Sequence, residues 1–170
     1  MITELLIKFT SGLSGTGLTA AVASHFWVVP TLQTLHILSV AVVLSGVLII
    51  NLRIVGIVER KQPVSYVLDR FLKPTAIALL VLAITGVLLI AGEPTRAIFR
   101  TMFWLKMALI VLAVSLTRSH REVPFLSAGG SLAVSPLRKG IAITALVLWL
   151  AAIVAGRWIA YVDAWPGAPA

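Results

Sequence analysis

Residues 28–58 read VVPTLQTLHILSVAVVLSGVLIINLRIVGIV. A stretch this long and this apolar reads as a helix crossing a bilayer, where about 20 residues suffice for a hydrocarbon core of about 30 Å. The run exceeds that length, so the helix should tilt or project. Trp27 is an interface anchor and Pro30 a favourable helix start, and Glu59-Arg60-Lys61-Gln62-Pro63 ends the run. Three more runs follow. The second covers about 74–91, closed by Gly92-Glu93-Pro94, and the third about 98–117, closed by Arg118-Ser119-His120-Arg121. The fourth covers about 140–162 and ends at the anchors Tyr161 and Trp165. Residues 1–24 hold too much Gly, Ser and Thr to span. Leu5, Phe9 and Leu13 share a helical face there, which suits a segment lying at the interface. The expected fold is all-α: one integral membrane domain over residues 1–170, a four-helix bundle.

Composition agrees. Hydrophobic residues make up 59%, charged residues 12%, and the mean hydropathy is +1.05, whereas soluble domains carry about 25% charged residues. There is no cysteine, which excludes disulfides, c-type haem attachment and thiolate metal sites. The net charge of +8 does not point to nucleic acid, because the basic residues gather in two loops. Arg60, Lys61, Arg70 and Lys73 lie in the first, and Arg118, Arg121, Arg138 and Lys139 in the third. The second holds only Arg96 and Arg100. Lys and Arg are retained on the cytoplasmic side, so loops one and three should face the cytoplasm and both termini the outer side. No basic stretch followed by a short apolar core and a cleavage site opens the chain, so no removable signal peptide is expected. The expected location is the bacterial inner membrane.

Each run carries something a lipid-facing helix rejects. An ionised side chain near the middle of a span costs roughly 2.5–3.5 kcal/mol on insertion scales. His36 comes nine residues after Trp27, Arg157 eight before Trp165 and Lys106 six after Arg100. At 1.5 Å per residue all three fall about 9–14 Å inside the outer boundary. Thr85 and Gly86 reach the same layer on the second span. An imidazole, a Thr-Gly step, an ammonium and a guanidinium thus meet at one depth, where no span places an acid. Singly, each has a simpler explanation: a histidine hydrogen-bonds a neighbouring helix, and a lysine or arginine snorkels. Their coincidence calls for a buried anionic cofactor, and haem b fits. Imidazole is a standard axial ligand of haem iron, and Lys106 and Arg157 could neutralise propionates. Gly86 would let a flat macrocycle approach, while Trp104 and Trp158 could pack on it.

The other histidines do not make an evident pair with His36. His120 lies roughly 20 Å from the Lys106 layer along the axis. It reads as an inner-face polar residue, a metal ligand of low occupancy, or the mark of a misplaced boundary. His25 precedes the first span and reads as a surface ligand, a proton relay or an interfacial residue with no role. Arg53 should snorkel toward the cytoplasm past Glu59 and Arg60.

Several stretches together resemble a family of short four-span bacterial membrane proteins without a settled function. They are Leu35-His36-Ile37-Leu38, Asn51-Leu52-Arg53-Ile54-Val55-Gly56, Thr85-Gly86, Lys106-Met107, Ser119-His120 and Gly156-Arg157-Trp158-Ile159-Ala160-Tyr161. The resemblance runs in order along nearly the whole chain. It implies family roles for His36, Arg53, Lys106, His120 and Arg157. The position of Asn51 is usually acidic in that family, and here it is not. More distantly, the histidine-bearing first helix looks like those of the copper-resistance D proteins and of the membrane-bound protoporphyrinogen oxidase family. The latter likeness implies haem b and redox chemistry.

Three functions follow as expectations. The first is a b-type haem protein passing electrons between the quinone pool or a partner and the periplasmic side. A membrane oxidoreductase would then use Lys106 as its proton-transfer group. The second is a metal-handling protein, for copper, with His25 and His36 on one face. Copper(I) prefers sulfur, and only Met102 and Met107 could offer it on the third span. The third is a structural subunit without a cofactor. Glycine- and alanine-bearing faces of spans one and four suit a homo-oligomer or a place in a larger membrane complex.

Overall fold

In the computed structural model, residues 25–92, 98–122 and 134–158 are described, together with residues 4, 7, 8, 11, 12, 17, 19 and 22. Four helices dominate them: α1 Val28–Val55, α2 Val64–Gly92, α3 Thr101–Glu122 and α4 Pro136–Trp158. All four are long and apolar enough to cross a membrane, and no strand occurs among the described residues. The protein is an all-α, multi-pass membrane protein. Its outer surface agrees: Ile37, Ile77, Leu80, Val111, Val147 and Val154 all point outward, an apolar exterior that water would not tolerate.

The helix ends have local causes. α1 stops at Val55, three residues before the end expected at Val58, because Gly56 adopts φ 94°. Gly56 N–H donates to Arg53 O and Ile57 N–H to Leu52 O at 2.9 Å, the paired bonds of a Schellman ending that favours glycine. α2 begins ten residues before Pro74, where a start was expected. Val64, Val67 and Leu68 are buried while Ser65, Tyr66, Asp69 and Arg70 are exposed. That is the periodicity of an amphipathic helix, and its apolar face rests on Ile50 and Ile54 of α1 and Ala142 of α4. Pro74 therefore sits inside the helix. α4 likewise starts at Pro136, not near Gly140. Ser135 Oγ accepts the Arg138 N–H at 3.4 Å, and proline is suited to the first helical position.

α1 packs extensively on α2, α3 on α4, and α1 joins the two pairs through α4. α2 and α3 are not a packed pair, so that seam of the bundle is open. At the α1–α2 contact, a Cβ built on Gly46 would overlap Thr75 Oγ1, so glycine is what lets these backbones approach. On α4 the inward positions Ala142, Ala145, Trp149, Ala152 and Ala155 follow helical spacing. Small residues bring membrane helices close, and Trp149 fills the centre against Val43, Val47, Ala78 and Ala113. The segment 1–24, expected at the interface, falls mostly outside the described residues. Of those described, Thr19 Oγ1 donates to Ala91 O at 2.9 Å, and Val22 is buried near Gly92. The anchors Tyr161 and Trp165 also lie outside the described residues.

Candidate functional site

Two polar layers interrupt the apolar interior, one toward each end of the bundle. The first layer is built around His36 on α1. Its Nδ1 lies 2.9 Å from Thr85 Oγ1 on α2. That hydroxyl also reaches back to Val81 O at 2.8 Å, the bond a helical threonine makes to the carbonyl one turn earlier. A hydroxyl has one hydrogen. Given to Val81 O, it leaves the oxygen to accept from Nδ1–H, so the imidazole carries its lone pair on Nε2. Gly86, next to Thr85, lies beside the ring: a Cβ there would sit 3.5 Å from His36 Cε1.

Lys106 of α3 stands close enough for its charge to act on His36. Its side chain lies across Gly156 of α4, where a Cβ would be 3.3 Å from Cε and 3.4 Å from Nζ. The four helices thus contribute His36, Thr85-Gly86, Lys106 and Gly156 to one region. Among the described residues the Lys106 ammonium makes no hydrogen bond or ion pair. The acids within the four helices, Asp69 and Glu122, belong to the start of α2 and the end of α3, at the opposite end of the bundle.

The remaining residues of the expected site sit differently. Trp104 is 54% exposed and donates its indole N–H to Ile98 O at 3.0 Å, which ties the start of α3 to the preceding turn. Arg157 and Trp158 are exposed at the described end of α4. Consecutive helical residues point about 100° apart, so the turn that lays Gly156 against Lys106 turns Arg157 away. His25 is exposed beside Trp27, with ring centroids 5.8 Å apart. No group of three or more His, Asp or Glu converges among the described residues.

The second layer lies fourteen residues further along α3 than Lys106, about 21 Å, so His36 and His120 belong to separate sites. His120 is 2% exposed, its Nε2 has no partner among the described residues, and the charge of Arg138 acts on it. Asn51 on α1 is 0% exposed. It donates from Nδ2 to Val47 O at 2.7 Å, and its Oδ1 has no partner among the described residues. Thr117, one turn before His120, accepts the Trp149 indole N–H at 3.3 Å. Arg53 does not snorkel. It is 3% exposed and donates from Nε, at 2.9 Å, and from Nη2 to Gln62 O, so it fastens the α1–α2 loop to the end of α1.

Sequence reasoning overlooked Gly156 as the bed of Lys106, and Trp149 as the centre of the bundle. A tryptophan in mid-span, flanked by alanines at helical spacing, was the available signal for the second. No sequence feature fixed the rotation of α4 that brings Gly156 inward.

Residues 14–162 match a protein family described as a family of unknown function, DUF6644. No curated protein and no solved structure matches the chain, so the distant likeness to copper-resistance D and protoporphyrinogen oxidase proteins gains no support.

Proposed function

The chain belongs to the DUF6644 family of unknown function, and from that premise we propose that it is a b-type haem-binding membrane protein that carries electrons. One observation carries this reading: His36 Nδ1 lies 2.9 Å from Thr85 Oγ1, a contact that presents Nε2 when the hydroxyl donates to its own helix, and Lys106 stands beside it with no carboxylate near among the described residues. A metal-bound histidine characteristically donates its other ring N–H to a neighbour, which fixes tautomer and orientation. The Thr85 bond meets that requirement. Gly86 lies within contact distance of the imidazole, and Lys106 supplies positive charge for an acidic group.

The donor set also discriminates between metals. A porphyrin brings four ligands of its own and asks the protein for one or two, and His36 can be one. A mononuclear copper site needs several protein ligands, and the described residues bring no such group together. Bound haem supplies one-electron chemistry at a potential set by its axial ligand and surroundings. The chain's own residues then orient the ligand, through Thr85, and hold an acidic substituent, through Lys106. Arg157 and Trp158 follow the Lys106 bed at the exposed end of α4, and a propionate role for Arg157 would need its long side chain to reach back to the site. Further parts of the proposal are an inner-membrane location with both termini on the periplasmic side, exchange of electrons with quinone or a periplasmic protein, and assembly with copies of itself or other subunits.

Haemin titrated into the apoprotein in mild detergent tests the reading. Saturation at a fixed ratio with a Soret band is expected, weakened in Lys106→Gln and abolished in His36→Ala. A second reading has one observation in its favour. The His36–Thr85 bond already joins α1 to α2, which a structural subunit without a cofactor would also use. In that case haemin binds no better to wild type than to His36→Ala.

A further inference from the structure

The open seam between α2 and α3 holds a cavity of about 540 Å³, within the range of roughly 300–1,000 Å³ of small-molecule sites. It lies toward the end of the bundle where α2 begins and α3 ends. Val47 and Trp149 form its floor, and Leu79 and Val114 its two walls. Two hydroxyls and an indole also line it, and their hydrogens are committed. Thr75 donates to Phe71 O at 2.6 Å and Thr117 to Ala113 O at 2.8 Å, while the Trp149 N–H goes to Thr117. A carbonyl-bearing headgroup pushed into this space would lose water and find no donor in return, which is costly. A hydrocarbon segment asks for no donor and therefore suits this space best.

The mouth has the opposite character. Lys73 from α2 and Arg118 from α3 stand on its two sides, both exposed. Asp69, one turn before Lys73, lines the same rim. Two cations against one carboxylate leave the rim positive. An arginine fork and an ammonium facing each other across a slot match a phosphate, and Asp69 can accept from hydroxyls on the same headgroup.

We infer that the α2–α3 seam is a binding site for an anionic glycerophospholipid, its acyl chain in the cavity and its phosphodiester between Lys73 and Arg118. The lipid closes a seam that α2 and α3 do not pack themselves. This site is remote from His36 and does not depend on the haem reading.

Native mass spectrometry of the full chain in detergent micelles tests it, with phosphatidylglycerol or phosphatidylcholine of identical acyl chains added. Wild type should retain phosphatidylglycerol in preference. Lys73→Gln with Arg118→Gln should weaken that retention about 25-fold, about fivefold for each cation near the membrane surface, and rising salt should reduce wild type toward the variant. Ala76→Trp, which fills the cavity from an exposed position and spares the rim, should displace the lipid as well. All three positions are exposed, so the variants should melt near wild type without added lipid. Equal retention of the two lipids by wild type, or unchanged phosphatidylglycerol binding in both variants, overturns the inference. Preferential retention of a quinone or a neutral lipid overturns it too.

Discussion

Replacing Thr85 with valine removes one hydroxyl from the centre of the His36 site and little else. Threonine and valine have the same branching, and position 85 is buried, so packing is kept. Three contacts disappear. Those to Val81 O at 2.8 Å and Leu82 O at 3.2 Å share one hydrogen and are a local extra, because helical geometry already pairs those carbonyls with backbone N–H groups. The one at 2.9 Å to His36 Nδ1 joins two helices, and its loss leaves a ring N–H without a partner. Interhelical hydrogen bonds in membranes contribute on average about 0.6 kcal/mol and at most about 1.7, so the apoprotein should lose about that much stability. Haem affinity should suffer more. Loss of a partner that orients a metal ligand typically costs roughly 10–100-fold, equivalent to about 1.4–2.8 kcal/mol at 1.4 kcal/mol per decade. Thermal melts of the apoprotein and haemin titrations, run on the same detergent preparations, give the two numbers. Thr85→Ser, which keeps the hydroxyl, should bind haemin close to wild type. Equal haemin affinity for wild type and Thr85→Val would refute the orienting role. So would a serine variant as weak as the valine one.

Two further predictions concern the frame that holds the site. Gly46→Ala should destabilise the bundle by about 1–3 kcal/mol, the usual cost of overpacking, because the new methyl overlaps Thr75 Oγ1 and lies 3.3 Å from Thr75 Cβ. Adding Thr75→Ala should recover much of the lost melting temperature, and additive effects of the two changes would contradict the contact. Arg53→Leu should cost about 1.5–3 kcal/mol, the worth of hydrogen bonds from a charged donor, since Gln62 O loses both of its arginine donors. Arg53→Lys keeps the charge without the fork and should fall between, as read by limited proteolysis of the α1–α2 loop and by melting temperature.

The four spans were legible because long apolar runs have few other uses in a chain this hydrophobic. Their ends were less so, and the reason differs in each case. The segment 64–73 alternates exposed and buried residues at helical spacing, but its charges argued for a loop, and Pro74 invited a start that belongs ten residues earlier. Gly56 ends α1 through its left-handed backbone, and an apolar run that continues past it to Val58 hid that stop. The site divides along a similar line. His36, Thr85, Gly86 and Lys106 could be gathered by counting depth along each helix, since depth is linear in sequence. Facing is not: it depends on how each helix is rotated, and one residue's difference separates inward Gly156 from exposed Arg157. Arg53 escaped the sequence reading because its partner, Gln62 O, is a backbone atom in a loop, which no side-chain pattern encodes. Trp149 was hidden by the habit of placing membrane tryptophans at interfaces.

The central claim, haem at His36, is tested most directly by oxidised and dithionite-reduced spectra of the protein purified in mild detergent, with pyridine-haemochrome quantitation, for wild type and His36→Ala. The account predicts b-type Soret and α bands in wild type that are lost in the mutant, while His120→Ala keeps them. A colourless wild type expressed with haem supplied, or bands that survive in His36→Ala, would contradict it.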